Sequence, residues 1–132
     1  MIELIKSLKS QIQGQIGLCG GGTFDKIEWQ SKINLNPGLF DYIFAECGCD
    51  YRVWDQVKQK YQVVQEKNIR NHKLYREIGI LIKYCLKFLS QVDYNLGGPE
   101  VPSGHMIDIR KGLVYISLIG MTASDEEREK FI

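Results

Sequence analysis

The sequence predicts an α/β fold in two parts. A slice of parallel sheet with one helical crossover is expected over residues 1–50, and an α+β unit with an antiparallel sheet and helices over 51–132. Three observations carry this reading. Ile16-Gly17-Leu18-Cys19 is a short apolar run that enters a glycine turn and a helical pattern, and Asp41-Tyr42-Ile43-Phe44-Ala45 is a second such run. That order is a βαβ unit. After Gly48, Tyr51, Val53, Val57, Tyr61, Val63 and Val64 are set among polar residues, which suggests antiparallel strands. From Leu74 to Val92 apolar residues recur at three and four positions over about five turns of helix.

The elements follow in order. Ile2, Leu4 or Ile5, Leu8 and Ile12 are spaced for one face of an opening helix, with Lys6 and Lys9 between them and Gly14 as the break. The run ending at Cys19 reads as a buried strand delivered into the turn Gly20-Gly21-Gly22. Thr23 is placed to cap the next helix, on which Phe24, Ile27 and Ser31 share a face. Asn34-Leu35-Asn36-Pro37-Gly38 ends that helix, and the run to Ala45 is a second buried strand. In the second part Leu74, Ile78, Leu81, Ile82, Cys85, Phe88, Leu89 and Val92 form the apolar stripe of a long helix, expected across an antiparallel sheet. Gly97-Gly98-Pro99 and Pro102 make the loop after it. Strands are expected over 106–110 and 113–118, joined by Lys111-Gly112 with the glycine able to take positive φ. Ser124-Asp125-Glu126-Glu127 is a capping box, its acids set against the helix dipole. That last helix stops at Ile132, and one crossover is short for a parallel sheet, so both ends read as places where a longer protein has been trimmed.

Composition narrows the function classes. Lys and Arg number 17 against 16 Asp and Glu, a net charge of +1, with 44% hydrophobic and 25% charged residues. This is the balance of an ordinary soluble globular protein, with no basic surplus for nucleic acid and no acidic tail. No apolar run approaches the roughly 18–20 residues of a membrane span, and the start lacks the long apolar core of a signal peptide. The four cysteines, without an export signal, point to free thiols in a reducing, cytoplasmic compartment.

Two constellations could hold an anion. A strand, then Gly20, Gly21, Gly22 and Thr23, then a helix start would bring backbone N–H groups and the positive end of a dipole to one spot. No Lys-Ser/Thr pair follows, so this is not a P-loop, and a plain tight connection is the competing reading. Arg110 ends a strand beside the hairpin and Arg128 lies one turn into the last helix. The two could share one phosphate through their guanidinium forks, or be two solvated surface residues. Cys47-Gly48-Cys49 is too tight for zinc, and Cys19 and Cys85 read as small core residues. His72 and His105 are alone, so no metal site is expected. No Asp-x-Asp pair occurs, leaving Asp41, Asp50, Asp55 and Asp108 isolated, and no catalytic residue is assigned.

Six segments in the correct order carry a resemblance. Ile16-Gly17-Leu18-Cys19-Gly20-Gly21 with Phe24-Asp25-Lys26, the stretch from Phe40 to Gly48, and Asn68-Ile69 with Tyr84-Cys85-Leu86 form the first half. Arg110-Lys111-Gly112, Ile116-Ser117-Leu118-Ile119-Gly120 and Glu126-Glu127-Arg128 complete it. Together they resemble the middle of the eukaryotic phosphomannomutases, members of the haloacid dehalogenase superfamily. The resemblance implies a partial haloacid-dehalogenase-like core followed by a cap domain. It implies interconversion of mannose 6-phosphate and mannose 1-phosphate in GDP-mannose synthesis, with Mg²⁺, a hexose bisphosphate activator and a homodimer formed through the cap. By matching position Arg110, Arg128 and Ser117 would face the sugar phosphate. The family's nucleophile, in Asp-x-Asp-Gly-Thr, and its magnesium-binding acids are not in these residues, so the chain alone is expected to be inactive. Gly22-Thr23 stands where the family has Ser-Asp, Cys47 replaces the Asn of Glu-Asn-Gly, and Met121 replaces a phosphate-gripping Arg. Losing one such charged contact is worth about 2–3 kcal/mol of binding. These departures keep a second reading open, a non-catalytic paralogue acting as a binding or dimerisation module. An unrelated small α/β protein is the third.

Overall fold

In the computed structural model, which describes residues 2–12, 14–92 and 103–131, the two apolar runs become strands β1 (Gly17–Cys19) and β2 (Tyr42–Ala45). They pair in parallel, Leu18 opposite Ile43 and Cys19 opposite Phe44. A parallel pair needs a crossover, and α2 (Phe24–Ser31) supplies it as the sequence predicts. Thr23 caps this helix, its Oγ1 accepting from the Lys26 N–H at 3.4 Å. Ser31 donates its hydroxyl to the Ile27 carbonyl at the other end. Before the sheet, α1 (Ile2–Gln11) lays Ile2 and Ile5 against the core, while Leu4 and Leu8 stay exposed.

The alternating segment after Gly48 extends the same sheet. β3 (Asp50–Asp55) and β4 (Lys60–Glu66) add antiparallel strands in the order β1-β2-β3-β4. Tyr51 pairs with Gln65 and Arg52 with Val63, so Val64 is the extra residue of a bulge. The compact units therefore run Met1–Asn68 and Ile69–Ile132, and the hairpin read from sequence as the start of the second part belongs with the first sheet. A left-handed turn explains this. Glu46, Cys47 and Gly48 take φ of 48°, 57° and 90°, which folds the chain back beside β2.

Ile27, Ile33, Leu39, Phe40, Ile43 and Ala45 form the core, on one face of the sheet only. Ile43 and Ala45 are fully buried whereas Tyr42 and Phe44, on the opposite face, are half-buried. The run ending at Cys19 departs from its reading as a buried strand. β1 is an edge strand covered on one face, so Leu18 packs on the core but Gly17 and Cys19 are exposed. Asp41 ties this layer together. It accepts from the Ile16 N–H at 2.8 Å and from Lys9 Nζ at 3.0 Å, and Lys9 also reaches the Gly38 and Leu39 carbonyls. Burial alone would raise the Asp41 carboxyl, but the Ile16 N–H and Lys9 outweigh it and hold the group below its ordinary range.

The second unit contains α3 (Tyr75–Leu89), the antiparallel hairpin β5 (Ile107–Ile109) and β6 (Val114–Ile116), and α4 (Asp125–Phe131). The Arg110 N–H donates to the Leu113 carbonyl at 2.9 Å across the connection, but Gly112 does not take the positive φ expected of it, and the strands stop at Ile109 and resume at Val114. Tyr84, Cys85, Phe88 and Leu89 of α3 line a groove with Ile116 and Leu118. Of the long apolar stripe only Leu89 is buried, Cys85 is half-buried, and Leu74, Leu81 and Phe88 are exposed. A two-stranded ribbon, with strands about 4.8 Å apart, is too narrow to cover a stripe that wide. The loop predicted at Gly97-Gly98-Pro99 and Pro102 lies outside the described residues. Among the described residues no helix is long and apolar enough to cross a membrane.

Candidate functional site

The arginine candidates sit in one hydrogen-bonded framework of the second unit. Residues 103–106 line up against the loop between β6 and α4. The Ser117 N–H donates to Met106 O at 2.8 Å, Met121 N–H to His105 O at 2.9 Å, and Ser103 N–H to Ile119 O at 2.9 Å. Gly120 is needed at φ +85°, where any Cβ would run into the Ser103 carbonyl. The capping box then fixes the start of α4. The Glu127 carboxylate accepts from the Ser124 N–H at 2.6 Å, and the Glu127 N–H donates to Ser124 Oγ at 3.2 Å. Chiefly because of that Ser124 N–H, the Glu127 carboxyl is held below its ordinary range. Ser103 Oγ reaches the same carboxylate at 3.3 Å.

Arg128 is built into this loop. Its Nε donates to Ala123 O at 3.1 Å and its Nη2 to Met121 O at 3.0 Å. Met121 thus holds Arg128 through its carbonyl. Arg110 has different partners: its Nε donates to Asp108 Oδ2 at 2.9 Å, and its guanidinium lies 4.9 Å above the Tyr115 ring. Ser117 is half-buried, and with its N–H committed to Met106 only the hydroxyl remains for a ligand. The sequence marks Asp108 only as an isolated acid and does not mark Tyr115 at all. The hairpin register could have found them, because Asp108 pairs directly with Tyr115 and lies two residues before Arg110 on the same strand face.

In the first unit the glycine segment is clamped by the left-handed turn. The Glu46 N–H donates to Gly22 O at 2.9 Å and the Cys47 N–H to Gly20 O at 3.0 Å. Gly20's own N–H is committed to Phe44 O at 3.0 Å, so it is not available to an anion. Close packing bears on one of these glycines: a Cβ at Gly20 would stand 3.2 Å from Ile27 Cδ1, whereas one at Gly22 would make only an ordinary contact with the Lys26 side chain. Thr23 meanwhile uses its hydroxyl as the α2 cap.

All four cysteines are free thiols. His72 Nδ1 accepts from the Leu74 N–H at 3.3 Å, a local role ahead of α3. Among the described residues no three His, Cys, Asp or Glu side chains converge on a metal position. Asp41, Asp50, Asp55 and Asp108 instead pair with Lys9, Arg52, Lys58 and Arg110. Among the described residues no set of side chains fits a Mg²⁺ site.

Comparison with known proteins gives one consistent answer. The family model described as eukaryotic phosphomannomutase matches residues 1–132. The chain is 30% identical over 131 residues to phosphomannomutase 2 of Dictyostelium discoideum, covering 99% of this chain and 47% of that protein. It is 28% identical over 134 residues to the phosphomannomutase of Schizosaccharomyces pombe, covering 99% and 47%. Against phosphomannomutase 1 of Mus musculus it is 30% identical over 135 residues, covering 96% and 44%. The chain spans about half the length of the curated relatives it matches. The βαβ slice, the second unit's hairpin and the capped α4 thus fall within a family match over residues 1–132, and the chain belongs to the eukaryotic phosphomannomutase family.

Proposed function

We propose that this chain holds a hexose phosphate for phosphomannomutase chemistry, the interconversion of mannose 6-phosphate and mannose 1-phosphate. Arg110 and Arg128 grip the phosphate, Ser117 adds its hydroxyl, and the nucleophile is an aspartate outside these residues. One observation carries the reading: both arginines have Nε fixed by a local acceptor, within or beside the same hydrogen-bonded hairpin and loop. Fixed forks suit phosphate oxygens, and each charge-assisted contact is worth about tenfold or more in affinity. The turn from Gly20 to Thr23, at the start of α2, is a second candidate phosphate position in the first unit. The second unit is the cap, the hairpin around Met106 and Ile107 is its homodimer contact, and the protein works in the cytoplasm. A Mg²⁺ ion and a hexose bisphosphate activator belong to the family reaction.

Calorimetric titration of mannose 6-phosphate into the chain tests this. Arg110→Gln and Arg128→Gln should each weaken binding about tenfold. Unaltered affinity in both variants, or no binding by a well-folded chain, would refute the reading. One observation favours a second reading, binding without catalysis: Met121 presents a thioether where the family has a cation. Met121→Arg should then tighten sugar-phosphate binding, whereas under full family function it would leave affinity unchanged.

A further inference from the structure

Phe24 and Glu28 are one turn apart on α2 and share a face, while Trp54 pairs directly with Tyr61 across β3 and β4. The first unit folds these four side chains around an open cavity of about 230 Å³, floored by the buried Ile33. The Trp54 and Tyr61 ring centroids are 5.1 Å apart at 65°, and those of Phe24 and Tyr61 are 5.9 Å apart at 63°. Three rings at such angles form a corner, not a stack. Its walls are fixed before any ligand arrives, which lowers the ordering cost of binding. Tyr61 donates its hydroxyl to the Phe40 carbonyl at 2.8 Å. The Trp54 indole lies against Gly38, where a Cβ would come within 2.9 Å of Nε1.

Charge selects the ligand. Among the described residues Glu28 makes no ion pair and no side-chain hydrogen bond. Its charge is felt at the cavity wall: burial chiefly pushes the Tyr61 hydroxyl up to about 12, and Asp41 and Glu28 add to the rise. Asp41 is already answered by Lys9, so Glu28 is the carboxylate left over. Arg52 shows that these rings accept a cation, since its guanidinium carbon lies 3.7 Å from the Phe24 centroid. Arg52 is itself held by Asp50 at 2.8–3.2 Å and does not border the cavity. Lys60 does border it, but it is exposed and directly precedes Tyr61 on β4, so strand alternation directs its side chain to the other face. We propose that this cavity binds a small quaternary ammonium compound, with Phe24, Trp54 and Tyr61 around its methyl groups and Glu28 facing its charge. Such a cation has no N–H to donate and is weakly hydrated, so ring faces and one carboxylate satisfy it. The size agrees, because pockets for drug-sized ligands begin at about 300 Å³. The proposal is independent of the sugar-phosphate reading.

Indole ¹⁵N–¹H spectra of the whole chain, titrated with tetramethylammonium chloride at constant ionic strength, test this directly. The chain has two tryptophans, and Trp29, 76% exposed and outside the cavity, serves as the internal control. Trp29→Phe assigns the two resonances. Trp54 should shift saturably while Trp29 stays in place. Neopentyl alcohol, of similar shape but neutral, should bind at least about tenfold more weakly. Glu28→Gln, which keeps size and removes charge, should weaken tetramethylammonium binding about three- to tenfold. Phe24→Leu, which removes one ring and leaves Glu28, should weaken it about threefold. Equal binding of the two probes would show a merely apolar pocket and overturn the proposal on the native chain alone, whatever the variants do. Unaltered affinity in Glu28→Gln, or no saturable shift at Trp54, would overturn it as well.

Discussion

Asp41 sits where three segments meet, so its removal should be felt across the N-terminal unit. In Asp41→Ala the Ile16 N–H loses its acceptor, at a cost of about 1–3 kcal/mol for a donor left unsatisfied. Lys9 loses less, since it keeps the Gly38 and Leu39 carbonyls. The two side chains are 28% and 23% exposed, so this pair adds only about 0.5 kcal/mol. The sum is about 2–3 kcal/mol near neutral pH. Urea unfolding followed by tryptophan fluorescence should show it as a midpoint lowered by about 1–2 M, for a slope of about 1–3 kcal/mol per M. The pH dependence has a definite sign. Asp41 is held below its ordinary value of 3.8, so its contribution is full above that value and is lost as pH falls through the lowered one. The gap between the native chain and Asp41→Ala should therefore narrow as the pH falls below the ordinary carboxylate range. A neutral-pH gap under about 0.5 kcal/mol, or one that stays constant into acid, would refute the assignment of Asp41 as the tie between these segments.

Two other positions test the backbone. Cys47 holds φ 57° and ψ 33°, a conformation that asparagine tolerates far better than cysteine, so Cys47→Asn should raise stability by about 0.5–1 kcal/mol in the same urea assay. A loss instead would mean that the thiol's packing beside Gly21 outweighs the strain. Gly120→Ala should destabilise the second unit by about 3 kcal/mol or more, because its Cβ meets the Ser103 carbonyl at a positive φ. Hydrogen exchange at the Ser103 and Thr122 amides reads this directly, and native protection in the variant would sink the prediction.

Local patterns in the sequence were informative where a single residue determines a local geometry. Thr23 before Phe24 and Ser124 with Glu127 each specify a cap, and each forms, whereas Lys111-Gly112 lies in a four-residue connection from Ile109 to Val114 in which Gly112 does not take positive φ. The parallel pairing of β1 and β2 was equally legible, since two apolar runs around a helix leave few alternatives. Burial was harder to read. Apolar character at Cys19, Leu74, Leu81 and Phe88 marks residues able to be covered, but coverage depends on what packs opposite, and here an edge strand and a narrow ribbon leave them exposed. The hairpin after Gly48 joined the first sheet because of the left-handed turn at Glu46 and Cys47, residue types that carry little signal for positive φ.

The site shows the same division between residue type and partner. Arg110 and Arg128 could be found as candidates because guanidinium groups at a strand end and a helix start suit phosphate. Nothing in their types says that Arg128 would close on the Met121 and Ala123 carbonyls, or Arg110 on Asp108 and Tyr115. Those partners decide what each arginine can do. A guanidinium with Nε committed has a fixed edge to offer, so its phosphate affinity depends on orientation as well as on charge. Met121 illustrates the consequence. Its side chain contributes no cation to the site, yet its carbonyl orients one. Under the proposed function, Met121 gives up a phosphate contact while its carbonyl still holds Arg128, and reduced affinity with an intact loop is the expected outcome.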